Sequence, residues 1–225
     1  SLREMVMGEN NLHRTSTKQE LDSMKTILAS EMKKGSLGLS TGLEYEDAHF
    51  SSLNEVIELA KTAAEYHDRY ISHMRSEDVG LADAINETIN IGRMAKLPVQ
   101  ISHFKIALKD DWSTSSNILA QLEQARQQGI NITADCYPYE YWASTLRVLF
   151  PKTDYTNLKL DKDNKEVLEN VILTARIKRG DTPDAAKKWI EYIKKDNLLF
   201  EEAEKEHSYI VGLQAKEAQL IEARN

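Results

Sequence analysis

The sequence is poor in cysteine, glycine and proline. A single cysteine, Cys136, stands among 225 residues, which excludes an intrachain disulfide and is compatible with a reducing compartment. Only 9 glycines and 4 prolines are present, so the chain is neither a fibrous nor a low-complexity protein. No apolar run approaches the roughly 18 residues that a membrane-spanning helix needs, and the first residues lack the apolar stretch of a signal peptide. These absences predict a cytoplasmic globular protein.

An excess of positive charge is also missing. The chain has 29 Lys and Arg against 36 Asp and Glu, a formal net charge of -7, whereas binding to nucleic acid phosphates needs a basic surface. Neither a Gly-x-Gly-x-x-Gly fingerprint nor a Walker loop occurs, so nucleotide binding has no support. A hydrophobic content of 41% is enough for an ordinary core. The sequence also starts without a methionine, from which we expect a piece of a longer protein.

Strand-like and helix-like patterns alternate over the first 151 residues. Capping-box spacings at Thr17–Glu20 and Ser52–Glu55 predict two helix starts, and a further helix from about 113 to 128 should bury Ile118, Leu119, Leu122 and Ala125. Helices of this size between strands predict a parallel α/β sheet, here half of an eight-stranded barrel. The rhythm breaks after Pro151, so we predict two parts, 1–151 and a mostly helical 152–225. The predicted strands are 37–43, 69–73, 98–103 and 130–135.

Two of these strands end in the same way. Each is an apolar run followed by Ser-His and, two residues later, by a cation: His73 is followed by Arg75, and His103 by Lys105. A lone histidine at a strand end is more often structural than a ligand. Two on successive strands favour a shared metal ion, because the carboxyl ends of barrel strands meet at one rim and imidazole is a common zinc ligand. We therefore predict a zinc site at His73 and His103.

Polar side chains near these histidines have two readings. Arg75, Glu77 and Lys105 could be a solvated rim, or the cations could hold a substrate carboxylate. Tyr137, Tyr139, Ser144 and Thr145 follow the fourth strand, where they could pack or donate hydrogen bonds to a carboxylate or carbonyl. His-x-His, which would supply further metal ligands, does not occur.

Six stretches of the chain follow the order and spacing of a known enzyme family. They are Leu2-Arg3-Glu4-Met5-Val6-Met7-Gly8, Gly38-Leu39-Ser40-Thr41-Gly42-Leu43-Glu44-Tyr45, the two Ser-His segments, Ala134-Asp135-Cys136-Tyr137-Pro138-Tyr139, and Ser144-Thr145-Leu146 running on to Leu149-Phe150-Pro151. Over residues 1 to about 151 the chain resembles the N-acyl-D-amino acid deacylases, the D-aminoacylase branch of the metal-dependent amidohydrolases. The resemblance implies a zinc-dependent hydrolase that converts N-acyl-D-amino acids to a D-amino acid and a carboxylate.

The resemblance also implies roles for individual residues. The chain would be a central fragment of a (β/α)8 barrel, covering about strands four to seven. His73 and His103 would be the zinc ligands of strands five and six, joined by a thiolate from an earlier strand. The His-x-His of strand one and the general-base aspartate of strand eight would lie outside the chain. By the resemblance, substrate contacts would fall on Lys105, Tyr137 and Ser144, with Tyr45 as a further candidate. Arg75 is added to these candidates from the residues alone, as the cation that follows His73.

Other interpretations stay open at this stage. The family often has Pro-Gly after the tyrosine of the Gly-Leu-Ser-Thr-Gly segment, whereas this chain has Glu46-Asp47-Ala48-His49-Phe50. A cyclic amidase of the dihydroorotase or hydantoinase type shares the barrel and metal logic. A non-catalytic barrel fragment that acts as an interaction module is the alternative from another class. A half-barrel leaves sheet edges open, so we expect the isolated fragment to be inactive and to self-associate.

Overall fold

A computed structural model describes residues 1–137, 182–184 and 187, and Ser1–Tyr137 form one compact unit. The predicted substrate residue Ser144, and with it Tyr139 and Thr145, lies outside the described residues, as does nearly all of the predicted helical segment 152–225. None of the helices in the described part has the length and hydrophobicity that a membrane span requires.

Helices and strands alternate along the compact unit, as the sequence predicts. In chain order the elements are α1 (Leu2–Met7), α2 (Lys18–Lys33), β1 (Gly38–Gly42), α3 (Glu46–His49), α4 (Leu53–Ala64), β2 (Arg69–His73), α5 (Leu81–Ala95), β3 (Val99–Ile101), α6 (Ser115–Gln127) and β4 (Ile132–Ala134). Short 3-10 segments at Glu9–Asn11 and Lys109–Thr114 precede α2 and α6.

The four strands form one sheet in the order β1-β2-β3-β4, and every neighbouring pair is parallel. This confirms the predicted α/β class, strand order and direction. The pairings align Leu39 with Tyr70, Tyr70 with Val99 and Val99 with Ile132. Because all strands run the same way, their carboxyl ends lie at one edge of the sheet. That edge is where the predicted metal ligands should meet.

The two faces of the sheet differ in burial. Leu39, Tyr70, Val99 and Ile132 lie in one row and belong to the core. The helices cover this face as a continuous layer, because α2 contacts α4 and α4 contacts α5, while Gln121 of α6 donates a hydrogen bond to Asn86 of α5 (2.7 Å). Side chains alternate between faces along a strand, so the opposite face carries the intervening residues. These are only partly buried or exposed in the described unit: Ser40, Ile71, His73, Gln100 and Thr133.

Helix starts follow the predicted caps with one correction. The capping box of Thr17 and Glu20 is complete. At the start of α4 the Ser52 hydroxyl accepts from the Glu55 backbone N–H, but the Glu55 carboxylate does not return to the cap. The Glu55 carboxylate binds Arg3 instead. Burying a carboxylate costs free energy unless a charged group is paired with it. The predicted burial of Leu119 is also wrong: this side chain is 55% exposed, outside the buried stripe of α6.

Gly38 begins β1 in a conformation that other residues avoid. Its φ is +133°, and a Cβ at this position would lie 2.2 Å from the carbonyl oxygen of Arg69 on β2. We therefore expect Gly38→Ala to lower the free energy of unfolding by about 1–3 kcal/mol from backbone strain alone. Urea denaturation measures the loss, with Gly35→Ala as the control. Gly35 also has a positive φ, but an added Cβ meets no atom within 4 Å. Equal losses in the two variants would contradict the steric argument.

Candidate metal centre

The imidazoles of His73 and His103 meet at the carboxyl edge of the sheet. His73 is the last residue of β2, on the face away from the helices, and His103 follows the end of β3 by two residues. Nδ1 of His73 lies 2.8 Å from Nε2 of His103. The sequence argument predicted that these two side chains would converge, and the geometry brings them into direct contact.

His103 does not continue its strand, contrary to the predicted range 98–103. β3 ends at Ile101, and His103 has a left-handed backbone with φ +41°. Asp135, just after β4, holds this turn: its Oδ1 accepts the His103 backbone N–H (2.6 Å), and its carbonyl accepts the Phe104 N–H (2.7 Å). The backbone N–H of His103 holds the pKa of the Asp135 carboxyl below its usual value. The turn redirects the imidazole of His103 toward His73.

Two buried glutamates lie behind the histidines. Oε2 of Glu44 is 2.7 Å from Nε2 of His73, and Oε1 of Glu77 is 2.8 Å from Nδ1 of His103. The Lys105 ammonium donates to Glu77 Oε1 (2.5 Å) and to the carbonyl oxygen of His103 (2.9 Å). Burial alone would raise the pKa of Glu77, but the hydrogen bond with His103 and the charge of Lys105 outweigh it and hold this pKa below its usual value.

These five residues form the histidine cluster: Glu44, His73, Glu77, His103 and Lys105. It contains two carboxylates and one ammonium group, and this excess of negative charge favours the binding of a cation. A ligand atom from each of His73, Glu77 and His103 lies within 4.8 Å of the other two. The 2.8 Å between the inner nitrogens is less than two Zn–N bonds, at about 2.0–2.1 Å each, so both nitrogens can reach one ion. Nitrogen and carboxylate donors suit zinc, and the residues present fit that metal.

Sequence reasoning missed the position of Glu44 and treated Glu77 as part of a rim. Glu44 is 1% exposed and Glu77 3% exposed. A signal for Glu44 existed, because it lies two residues beyond the end of β1, as His103 does beyond β3. Nothing in the local pattern shows that Glu77, four residues after His73, turns inward to reach the neighbouring strand.

Two of the other predicted substrate residues, Tyr45 and Tyr137, contact members of the histidine cluster. The Tyr45 hydroxyl is 3.4 Å from Nδ1 of His73, and the Tyr137 ring has Lys105 Nζ 5.5 Å from its centroid. Arg75 is placed differently: its guanidinium forms a two-bond ion pair with Glu87 (2.9 and 2.8 Å) and donates to the carbonyls of His49 and Ser51. Those contacts anchor the loop after β2 to α5, so the structure adds no support for Arg75 as a substrate residue.

Known proteins resemble this chain over the same region. A D-aminoacylase of Alcaligenes xylosoxydans xylosoxydans is 31% identical over 147 residues, which cover 65% of this chain and 30% of the relative. An N-acyl-D-glutamate deacylase of the same organism is 31% identical over 121 residues, 54% of this chain and 25% of the relative. Homologues of this chain are D-aminoacylases and N-acyl-D-glutamate deacylases. No protein-family model matches.

Solved structures agree with the D-aminoacylase relationship. The crystal structure of a D-aminoacylase described as defining a novel subset of amidohydrolases matches with a TM-score of 0.61 and 33% identity, over 64% of this chain and 30% of that one. An N-acyl-D-glutamate deacylase from Bordetella bronchiseptica, complexed with zinc and a phosphonate inhibitor, matches with a TM-score of 0.58 and 33% identity, over 61% and 29%. The matched part thus spans about 30% of each of these two relatives, and the resemblance predicted from the sequence is confirmed.

Proposed function

We propose that this chain is part of a zinc-dependent amidohydrolase that cleaves N-acyl-D-amino acids into a D-amino acid and a carboxylate. The observation that carries the proposal is the contact of His73 and His103 at the carboxyl edge of a parallel sheet, 2.8 Å between nitrogens, in a chain whose homologues are D-aminoacylases. Zinc is supported by the donor set and by the zinc complex of the Bordetella relative. The four strands would be strands four to seven of a (β/α)8 barrel, with the exposed sheet face turned inward.

In this proposal His73 and His103 hold the metal, and the substrate is oriented by Lys105, Tyr45, Tyr137 and Ser144. A bound zinc ion would polarise the amide carbonyl and lower the pKa of water. Hydrolysis adds water across the amide: the C–N bond breaks, the acyl carbon gains the hydroxyl of water and the nitrogen gains its proton. Transfer of the carboxylic acid proton to the amine then gives a carboxylate and an ammonium group. The resemblance assigns the general base to an aspartate outside this chain. Tyr45 lies against His73, and Lys105 lies against His103, where each can contact the substrate beside the metal.

The full-length protein tests this function directly. We expect purified enzyme to contain zinc and to hydrolyse N-acetyl-D-amino acids much faster than the L-enantiomers, with activity lost on chelation and restored by zinc. Dihydroorotate and hydantoins are the comparison substrates for the cyclic-amidase interpretation. Preferential turnover of those rings, or equal turnover of both enantiomers, would contradict the proposal. The absence of any hydrolysis in the zinc-loaded full-length protein would favour the interaction module.

Lys105 is the strongest candidate for binding the substrate carboxylate. Burying that charge beside the metal requires a cation, and Lys105 Nζ is fixed next to His103 by Glu77. We expect Lys105→Met to raise KM for N-acyl-D-amino acids about 10- to 100-fold, the value of a charged hydrogen bond, and to affect the corresponding amide far less. Steady-state kinetics on the acid and amide pair measures this effect.

Two measurements keep that result interpretable. Zinc content should be retained in Lys105→Met, which separates loss of substrate binding from loss of metal. Lys109→Met is the matched control, since Lys109 is an exposed lysine four residues further along the chain. If the acid and the amide lose equally, Lys105 does not bind the carboxylate.

A further inference from the structure

The outward nitrogens of both histidines contact buried carboxylates, and this arrangement is repeated on different strands. His73 points Nδ1 at His103 and Nε2 at Glu44 (2.7 Å), whereas His103 points Nε2 at His73 and Nδ1 at Glu77 (2.8 Å). The two rings therefore use opposite nitrogens for the same inner position. A carboxylate can only accept a hydrogen bond, so each glutamate favours the tautomer with hydrogen on the outer nitrogen. That tautomer leaves a lone pair on the inner nitrogen.

We propose that Glu44 and Glu77 are positioning residues: in the tautomers that bind the metal, Glu44 accepts the outer N–H of His73 and Glu77 accepts the outer N–H of His103. The inference rests on the proposed zinc site and adds two residues to it. Histidine ligands commonly donate their second N–H to a carboxylate, and losing that partner weakens metal binding. Nearly complete burial makes this role specific, because water cannot replace either carboxylate easily.

Lys105 and Glu77 together provide a hydrogen-bond partner for Nδ1 of His103 in both neutral tautomers of the ring. Without a metal, one hydrogen must lie between the inner nitrogens. Because Glu44 places the hydrogen of His73 on Nε2, His103 Nε2 is the donor and its Nδ1 can accept from Lys105 (2.9 Å). When Nε2 instead presents its lone pair, Nδ1 carries the hydrogen and donates to Glu77. The paired ammonium and carboxylate at Nδ1 thus leave neither form of His103 without a hydrogen-bond partner there.

Glutamine substitutions test the positioning role, because an amide can either accept or donate. Glu44→Gln and Glu77→Gln keep size and burial but allow the opposite tautomer, with hydrogen directed at the metal position. In the full-length protein we expect each variant to bind zinc about 10- to 100-fold more weakly in competition with a chelator, with unchanged circular dichroism. Glu87→Gln is the matched control, since Glu87 is a partly buried glutamate whose described partner is Arg75 and not a histidine.

A spectroscopic measurement does not depend on zinc. In the metal-free protein, 15N NMR of the ring nitrogens should show His73 protonated at Nε2, and Glu44→Gln should shift its population toward Nδ1–H. Wild-type zinc affinity in both glutamine variants, or a His73 ring protonated at Nδ1 in the wild type, would overturn the proposal. If His73→Ala and His103→Ala retain zinc, the metal site itself is refuted. Normal zinc affinity in both glutamine variants would instead refute only the positioning role of Glu44 and Glu77.

Discussion

Replacing His73 or His103 by alanine in the full-length protein is expected to abolish zinc retention and hydrolysis of N-acyl-D-amino acids. In the proposed site the two imidazoles would supply adjoining nitrogens, which lie 2.8 Å apart, so the loss of either would leave one histidine ligand. Activity should fall by a factor of about 100 to 1,000, the scale set by removing a group that stabilises transition-state charge. Metal analysis after dialysis and turnover of an N-acetyl-D-amino acid provide the two measurements.

A histidine at the other end of the same strand provides the control. His67 lies just before β2 with φ +60° and an exposed side chain. Asparagine tolerates that backbone, so His67→Asn removes an imidazole without straining the turn. This variant should keep zinc and activity. Normal zinc content in His73→Ala would refute the ligand assignment, and a matching loss in His67→Asn would point to general unfolding.

Removing Arg3 should produce a large loss of stability in the described unit. Arg3 (4% exposed) lies on α1 and Glu55 (2% exposed) on α4, and Nη1 of Arg3 is 2.7 Å from both carboxylate oxygens. Nη2 donates to the carbonyls of Leu12 (3.0 Å) and Arg14 (2.6 Å). Arg3→Met would leave the Glu55 carboxylate buried without its cation, next to the hydroxyl of Ser16, which donates to it (2.7 Å). We expect the free energy of unfolding to fall by about 3–5 kcal/mol.

The control for Arg3 is an ion pair nearer the surface. Lys25 and Glu58 are 3.1 Å apart, with side chains 35% and 27% exposed, and Lys25→Met should cost less than about 1 kcal/mol. The double variant Arg3→Met/Glu55→Leu should recover much of the loss, because it removes both buried charges together. Urea denaturation of the three variants measures this. A loss in Arg3→Met no larger than that in Lys25→Met would contradict the expected penalty for an unpaired buried carboxylate.

Local patterns predicted the elements well where the signal was itself local. The capping box at Thr17 formed as predicted because side chain and backbone lie three residues apart. The sequence also predicted the four parallel strands in order, since helices between successive strands require crossover connections. Ser52 and Glu55 show where prediction from local sequence fails. The same spacing formed only one of the two capping-box hydrogen bonds, because the Glu55 carboxylate binds Arg3, which lies 52 residues away in the chain.

The sequence by itself determined the alternation of strands and helices and the placing of His73 and His103 at strand ends. Both follow from periodicity, which is read within one element. Only the tertiary structure decided what surrounds those rings. Glu44 reaches His73 from just beyond β1, Glu77 reaches His103 from the loop after β2, and Asp135 holds the left-handed turn from beyond β4. Such contacts join residues 26 to 32 positions apart in the chain, and their partners are set by the register of neighbouring strands and the path of the loops, which no local pattern encodes.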